Sequence, residues 1–332
     1  MSLTIAIPGL IWPDSGDIDY LYSELKTPYL NKFIAKTKVK YLDYSYSDFL
    51  CNLDTDHVNK NDFTLAMQMA THLNIQHEFK HFLFAEPTHL RVDRDRLLIS
   101  EAELLQLDHT ESIEIINKIN NHFAPDFKLY YLDEHLWLLG LNIYPGTEKF
   151  SPIIDIIGEN IDDYLPKEKN SILYNKFLNE VQMLLFSLSV NKNRQTEGSL
   201  TSNSIWLWDK STRQLDTEYT QIYANNNLSL LKHDKILPLP NNLNEIFKSN
   251  QNTLVIIDQL YYPSCYRDSY SWQDKIKNLD EKIFAVMANL KINNFRLLIP
   301  MQNKTLELTN KSIFGIFQKK NLNSLAKEWH EK

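Results

Sequence analysis

Short apolar runs of strand length recur at Leu3–Ile7, Leu83–Phe84, Leu254–Ile257 and Phe295–Ile299, each set between helical or turn signals. Uninterrupted apolar runs suit strands buried on both faces, and their alternation with helices predicts a largely parallel sheet covered by helices on both sides. Between the runs the period lengthens. Thr27-Pro28 predicts a helix start, Thr as N-cap and Pro in the first turn, with Leu30, Phe33 and Ile34 on one face. Asp62 is expected to precede a helix running through Leu73. Ser271 is expected to cap a helix carrying Ile276, Leu279, Ile283, Phe284 and Met287 as one buried stripe.

The middle of the chain departs from this pattern. Leu90–Ile99 alternates charged and aliphatic residues, and Ser100–Glu103 reads as a capping box ahead of a helix. Lys128–Leu132 and Leu136–Leu141 read as a hairpin turning at Asp133-Glu134-His135. Asn170–Leu188 reads as a long amphipathic helix. The fold class that follows is α/β: a core from residues 1–89 and 205–332, with a smaller α+β domain inserted over 90–204. The polar tail after Lys319 is the one stretch biased enough to be read as disordered.

Composition narrows the function classes. The chain has 332 residues, 43% hydrophobic and 23% charged, which is ordinary for a folded protein with ample core. A net charge of -7 argues against an extended nucleic-acid surface, which needs clustered Lys and Arg. The two cysteines, Cys51 and Cys265, make neither a disulfide framework nor a CxxC zinc pair. No apolar stretch approaches the ~18 residues that span a bilayer, and the N-terminal run reads as a buried strand rather than a signal peptide. The expectation is a cytoplasmic protein with neither nucleic-acid nor membrane partners.

Candidate chemistry concentrates after the long helix. A helix carrying Asn179, Glu180 and Gln182 is expected to end near Asn191, with Arg194 on the following loop. Loop Arg and Asn suit a phosphate or carboxylate, because the guanidinium presents a planar fork of donors. The same Arg194 would alternatively pair with Glu180 or Glu197, as structural ion pairs outnumber ligand sites. A second anion candidate is His89 with Arg91, Arg94 and Arg96; along one strand Arg94 and Arg96 would share a face and Arg91 the other. A solvated face of Arg–Asp pairs is the plainer account of it. His57, His72, His77 and His81 have no recognised ligand spacing and read as surface or interface residues.

The run Ser189–Trp208, with Asn191, Arg194, Gly198, Asn203 and the Ile-Trp-Leu-Trp at 205–208, resembles a specific segment of the archaeal-type cofactor-independent phosphoglycerate mutases of the alkaline phosphatase superfamily. Weaker likenesses follow in order along nearly the whole chain, at Leu3–Leu10, Leu25–Lys36, Leu90–Leu107, Ile157–Pro166, Thr253–Ile283 and Phe295–Pro300. A proteobacterial branch of mutase-like proteins is more similar still. The resemblance implies an alkaline-phosphatase-like core with an inserted α+β domain. It also implies two divalent metals, usually manganese, held by Asp and His at strand ends to activate a serine.

This sequence departs from that pattern where the metals would bind. Pro8 stands at the N-terminal ligand position, Pro263-Ser264-Cys265-Tyr266 replaces an Asp-and-His segment, and Met301-Gln302 replaces an Asp-His pair. Of the ten histidines none lies between His233 and His330. A thioether and an amide do not replace carboxylate and imidazole for manganese. Asp258, Asp268 and Asp280 are left as remnants, and Ser47 is the weak counterpart of the serine, a poor nucleophile without metal or base. The expectation is a degenerate mutase-like protein with no cofactor. It would bind an anionic or phosphorylated metabolite through Asn191, Arg194, Arg91 and His89, or a protein partner. The alternatives are an active mutase with a rearranged manganese site and a regulatory scaffold.

Overall fold

A computed structural model describes residues 3–51, 53, 64–100, 102–143, 150–165, 171–210, 219–224, 236–240, 243–248, 251–292, 295–310 and 320–331. The chain forms two compact units, Met1–Leu53 with Leu215–Lys332, and Asp54–Gln214.

The first unit begins with β1 (Leu3–Ala6), α1 (Ile18–Ser23), α2 (Pro28–Ile34), β2 (Thr37–Leu42) and α3 (Tyr46–Cys51). The second holds α4 (Leu65–His72), β3 (His81–Thr88), β4 (Leu90–Asp93), β5 (Arg96–Ile99), α5 (Ala102–Leu105), α6 (His109–Phe123), β6 (Phe127–Tyr131) and β7 (Trp137–Leu141). It closes with α7 (Ile153–Ile156), α8 (Ser171–Ser187), α9 (Ser189–Glu197) and β8 (Ser204–Trp208). The first unit then resumes with β9 (Gln221–Ala224), β10 (Ile236–Pro238), α10 (Asn244–Lys248), β11 (Thr253–Ile256), α11 (Tyr261–Cys265) and α12 (Ser269–Leu279). A π-helical turn (Asp280–Phe284) joins α12 to α13 (Ala285–Asn289), and β12 (Phe295–Pro300), β13 (Thr305–Asn310) and α14 (Leu322–His330) follow.

The first unit is built on a seven-stranded sheet ordered β10-β9-β11-β1-β12-β13-β2. The central pairs are parallel, and β13 alone runs against its neighbours. The fold class is therefore mixed α/β with a largely parallel sheet, as the apolar runs predicted. Ile5, Val255 and Leu297 pack into one core with Trp272, Ile276, Phe284 and Met287 from the helices. The segment after Lys319 is no disordered tail. Leu322, Leu325, Ala326 and Trp329 are buried along one face of α14, which Asn321 caps by accepting from the Ser324 N–H at 2.8 Å.

Two helix starts differ from expectation. Thr27 makes no side-chain cap bond at α2; the Asp280 carboxylate instead accepts from the N–H groups of Leu30 (2.6 Å) and Tyr29 (3.3 Å). The cap of α12 is Asp268, which accepts from the Ser271 N–H at 3.1 Å, so the helix begins ahead of Ser271.

The second unit carries an antiparallel sheet ordered β6-β7-β3-β8 and a separate β4–β5 hairpin. The β6–β7 hairpin and the helix at α8 fall where the sequence places them. The apolar pair Leu83–Phe84 does not belong to the parallel sheet: it lies in β3, antiparallel to β7 and β8. A strand buried on both faces reads the same whichever way its partners run. The unit boundaries at 53/54 and 214/215 are accordingly wider than the expected 90–204 insert. Leu90–Ile99 is a hairpin rather than one strand; Arg94 occupies its turn with φ +58°, and Arg91 lies opposite Leu98. The capping box of this unit is Asp108 with Glu111, opening α6. Asp62 and His57 fall outside the described residues, as does Glu101 within the expected Ser100–Glu103 box.

Candidate functional site

The segment singled out by its motif folds as a brace. α8 ends at Ser187 and α9 starts at Ser189, so Asn191 and Arg194 stand on a helix rather than a loop. Both are buried, at 5% and 6% exposure. Arg194 Nη1 donates to Glu111 Oε1 (2.9 Å) and Oε2 (2.7 Å), Nε donates to the Leu200 carbonyl (2.7 Å), and Nη2 donates to the Leu105 carbonyl. Asn191 Nδ2 donates to the carbonyls of Leu185 (2.8 Å) and Ser202 (2.7 Å). His89 Nδ1 lies 2.8 Å from the Thr201 carbonyl, which can only accept, so this nitrogen carries the proton. Asn203 completes the set: its side chain pairs with the N–H and C=O of Leu90 at 2.7 and 2.8 Å.

Three of the four expected anion contacts thus converge on one loop, Leu200–Asn203, and satisfy its carbonyls. The fork of donors expected to face a ligand faces the chain itself. Gly198 closes α9 in the left-handed region, φ +76°, which turns the chain into that loop. The fourth, Arg91, is exposed on β4. Glu111 was not singled out by sequence, although Asp108 with Glu111 is a legible capping pattern. Its carboxylate accepts from both the Asp108 N–H (3.0 Å) and Arg194.

The second constellation lies at the carboxyl ends of β1, β11 and β12, where open α/β sheets place their ligands. Gly9 follows β1 with φ +74°, and a Cβ there would lie 2.7 Å from the Leu260 carbonyl oxygen and the Tyr261 Cα. The Trp272 indole donates to the Gly9 carbonyl at 2.8 Å, and the Tyr46 N–H donates to the Met301 carbonyl at 2.8 Å. Ser45 and Asp48 form a reciprocal cap at the start of α3: Asp48 Oδ2 accepts from the Ser45 N–H (3.0 Å), and Ser45 Oγ accepts from the Asp48 N–H (3.1 Å). Ser47 sits fully buried in that turn, its Oγ 3.0 Å from Ser45 Oγ. The ring of Tyr46 packs 4.6 Å from that of Tyr261. Burial holds the Tyr46 hydroxyl well above the ordinary tyrosine range, helped by the nearby Asp258 and Cys265.

The three carboxylates left as remnants have distinct places. Asp258 follows β11 beside Tyr46. Asp268 is spent as the α12 cap, and its bonds to Ser271 lower its pKa. Asp280 is buried against α2, and desolvation raises its pKa despite the two N–H groups it accepts from. A manganese pair asks for hard oxygen and imidazole donors. Pro8, Cys265, Met301 and Gln302 do not supply them, and Asp48 is engaged in its cap. Among the described residues no group of three His, Cys, Asp or Glu is placed to hold a metal ion.

A further buried carboxylate, Asp209, was not anticipated. It accepts from the N–H groups of Ala66 (3.1 Å) and Lys210 (2.8 Å) at the start of α4, and burial pushes its pKa up to about 6. Among the described residues no helix is long and apolar enough to cross a membrane.

The fold is mixed α/β with a largely parallel seven-stranded sheet, and parts of the chain are similar in sequence to phosphoglycerate mutases. The chain is similar to the 2,3-bisphosphoglycerate-independent phosphoglycerate mutase of Methanosarcina mazei, 33% identical over 126 residues, covering 37% of this chain and 29% of that protein. It is 31% identical over 90 residues to the mutase of Methanosarcina acetivorans, covering 27% of this chain and 22% of the relative. The match therefore spans less than a third of the curated relatives' length. Among solved structures, the cofactor-independent phosphoglycerate mutase from Thermoplasma acidophilum aligns over 98% of this chain and 95% of its own, at 15% identity and TM-score 0.38. The PH0037 protein from Pyrococcus horikoshii aligns over 96% and 90%, at 9% identity and TM-score 0.47. No family model matches the chain.

Proposed function

We propose that this mutase-like chain does not carry out metal-dependent phosphoryl transfer and works by binding, taking an anionic or phosphorylated metabolite or a protein partner. The observation that supports this most is the filling of the strand edge by the chain's own atoms. The α11 backbone stands where a side chain on residue 9 would project, and Ser47 is enclosed in a capped turn. The test is metal analysis of protein purified in manganese, together with a mutase assay. The expected result is substoichiometric manganese and no turnover. Stoichiometric manganese with turnover that Ser47→Ala abolishes would overturn the reading.

A further inference from the structure

At the same carboxyl edge, but on the opposite face of β11 from Asp258, lies a cavity of about 300 Å³. Successive residues leaving a strand project to opposite sides, so Ile257 and Gln259 point together while Asp258 points away towards Tyr46. The cavity is bounded by the exits of β10 and β11 and by the helical run through α12, the π turn and α13. Its walls are apolar at Leu243, Ile257, Ile283 and Val286, and its polar groups are Gln259, Asn278 and Lys282. Among the described residues these three side chains make no hydrogen bond or ion pair, and Lys282 is the only charged residue lining the space.

A π turn, Asp280–Phe284, lies in the helical run beside this cavity. Asp280 and Lys282, two positions apart, project to opposite sides. Asp280 turns inward to cap α2, while Lys282 turns to the cavity. π turns inside α-helices recur at functional sites. An ammonium with two primary amides above an aliphatic wall suits an anionic head on an apolar body.

We propose that this cavity is a binding site for a small organic anion, a carboxylate or phosphate monoester with an apolar body, whose head meets Lys282, Gln259 and Asn278. The site rests on the binding reading above and gives it a place, but the two fail separately. Protein that binds the anion in chelator yet turns over phosphoglycerate in manganese would refute the first and leave the second.

The experiment is ligand-observed NMR on the full chain in EDTA, titrating benzoate, phenyl phosphate and the neutral benzyl alcohol. Benzoate against phenyl phosphate tells a carboxylate site from a phosphate site. Binding of at least one anion is expected, weakened about tenfold or more by Lys282→Met, as loss of a charge-assisted hydrogen bond predicts. Val286→Trp, which fills the cavity and leaves the charge, is expected to abolish it. The proposal is overturned by no anion binding at ~10 mM, by benzyl alcohol binding as tightly as either anion, or by affinity unchanged in both variants.

Discussion

Two sets of polar residues in this chain face opposite ways, and the motif-bearing set is the one turned inward. In the unit built on the antiparallel sheet, Asn191 and Arg194 carry the most specific likeness to a phosphotransfer family, yet their donors, like that of His89, are spent on carbonyls at 200–202. In the unit built on the parallel sheet, Gln259, Asn278 and Lys282 stand around a cavity and make no hydrogen bond or ion pair among the described residues. The difference is one of desolvation. A buried guanidinium must find partners within the fold or it destabilises it. A lysine at a cavity mouth keeps its hydration until a ligand replaces it.

The sharpest way to break this contrast is Arg194→Ala. If Arg194 braces the loop, its loss leaves the Leu105 and Leu200 carbonyls without that donor and the Glu111 carboxylate without its ion-pair partner, and lowers stability by about 3 kcal/mol. Urea denaturation would report it. A loss of a few tenths of a kcal/mol instead, with impaired anion binding, would return Arg194 to the ligand-contact role.

The next effect is pH-dependent. Asp209 titrates near 3.8 when unfolded and at about 6 when folded, so the native state holds the proton more tightly. Stability is therefore greatest below the lower value and declines as pH rises between the two, by about 2 kcal/mol. Asp209→Asn should flatten that decline in thermal unfolding from pH 4 to 6.5. A variant curve parallel to the parent would show that this carboxyl is not the titrating group.

The smallest effect concerns the parallel-sheet unit. Asp280→Ala removes the acceptor of two α2 N–H groups and should cost about 1–2 kcal/mol. Asp280→Asn, which keeps an acceptor, should cost less. Equal losses from the two would mean that the carboxylate charge, rather than its acceptors, holds α2.

Much of the architecture was legible along the chain. The runs at β1, β11 and β12, the β6–β7 hairpin and the long α8 follow from periodicity, because each element buries residues close together in sequence. α14 was not read from the sequence: its polar surroundings gave a disordered tail, although Leu322, Leu325, Ala326 and Trp329 share one buried face. The residue types at Pro8, Cys265, Met301 and Gln302 are facts of the sequence. What only tertiary structure decided was the partner of each polar group. Glu111 meets Arg194, and Asp280 meets α2 from 250 positions away. No local pattern encodes such distances, because a donor's direction depends on which helix folds over it. The same holds for β3, whose apolar core suits either sheet until β7 and β8 pair with it. Sequence set the inventory of donors and acceptors, and burial in three dimensions chose which were spent within the fold.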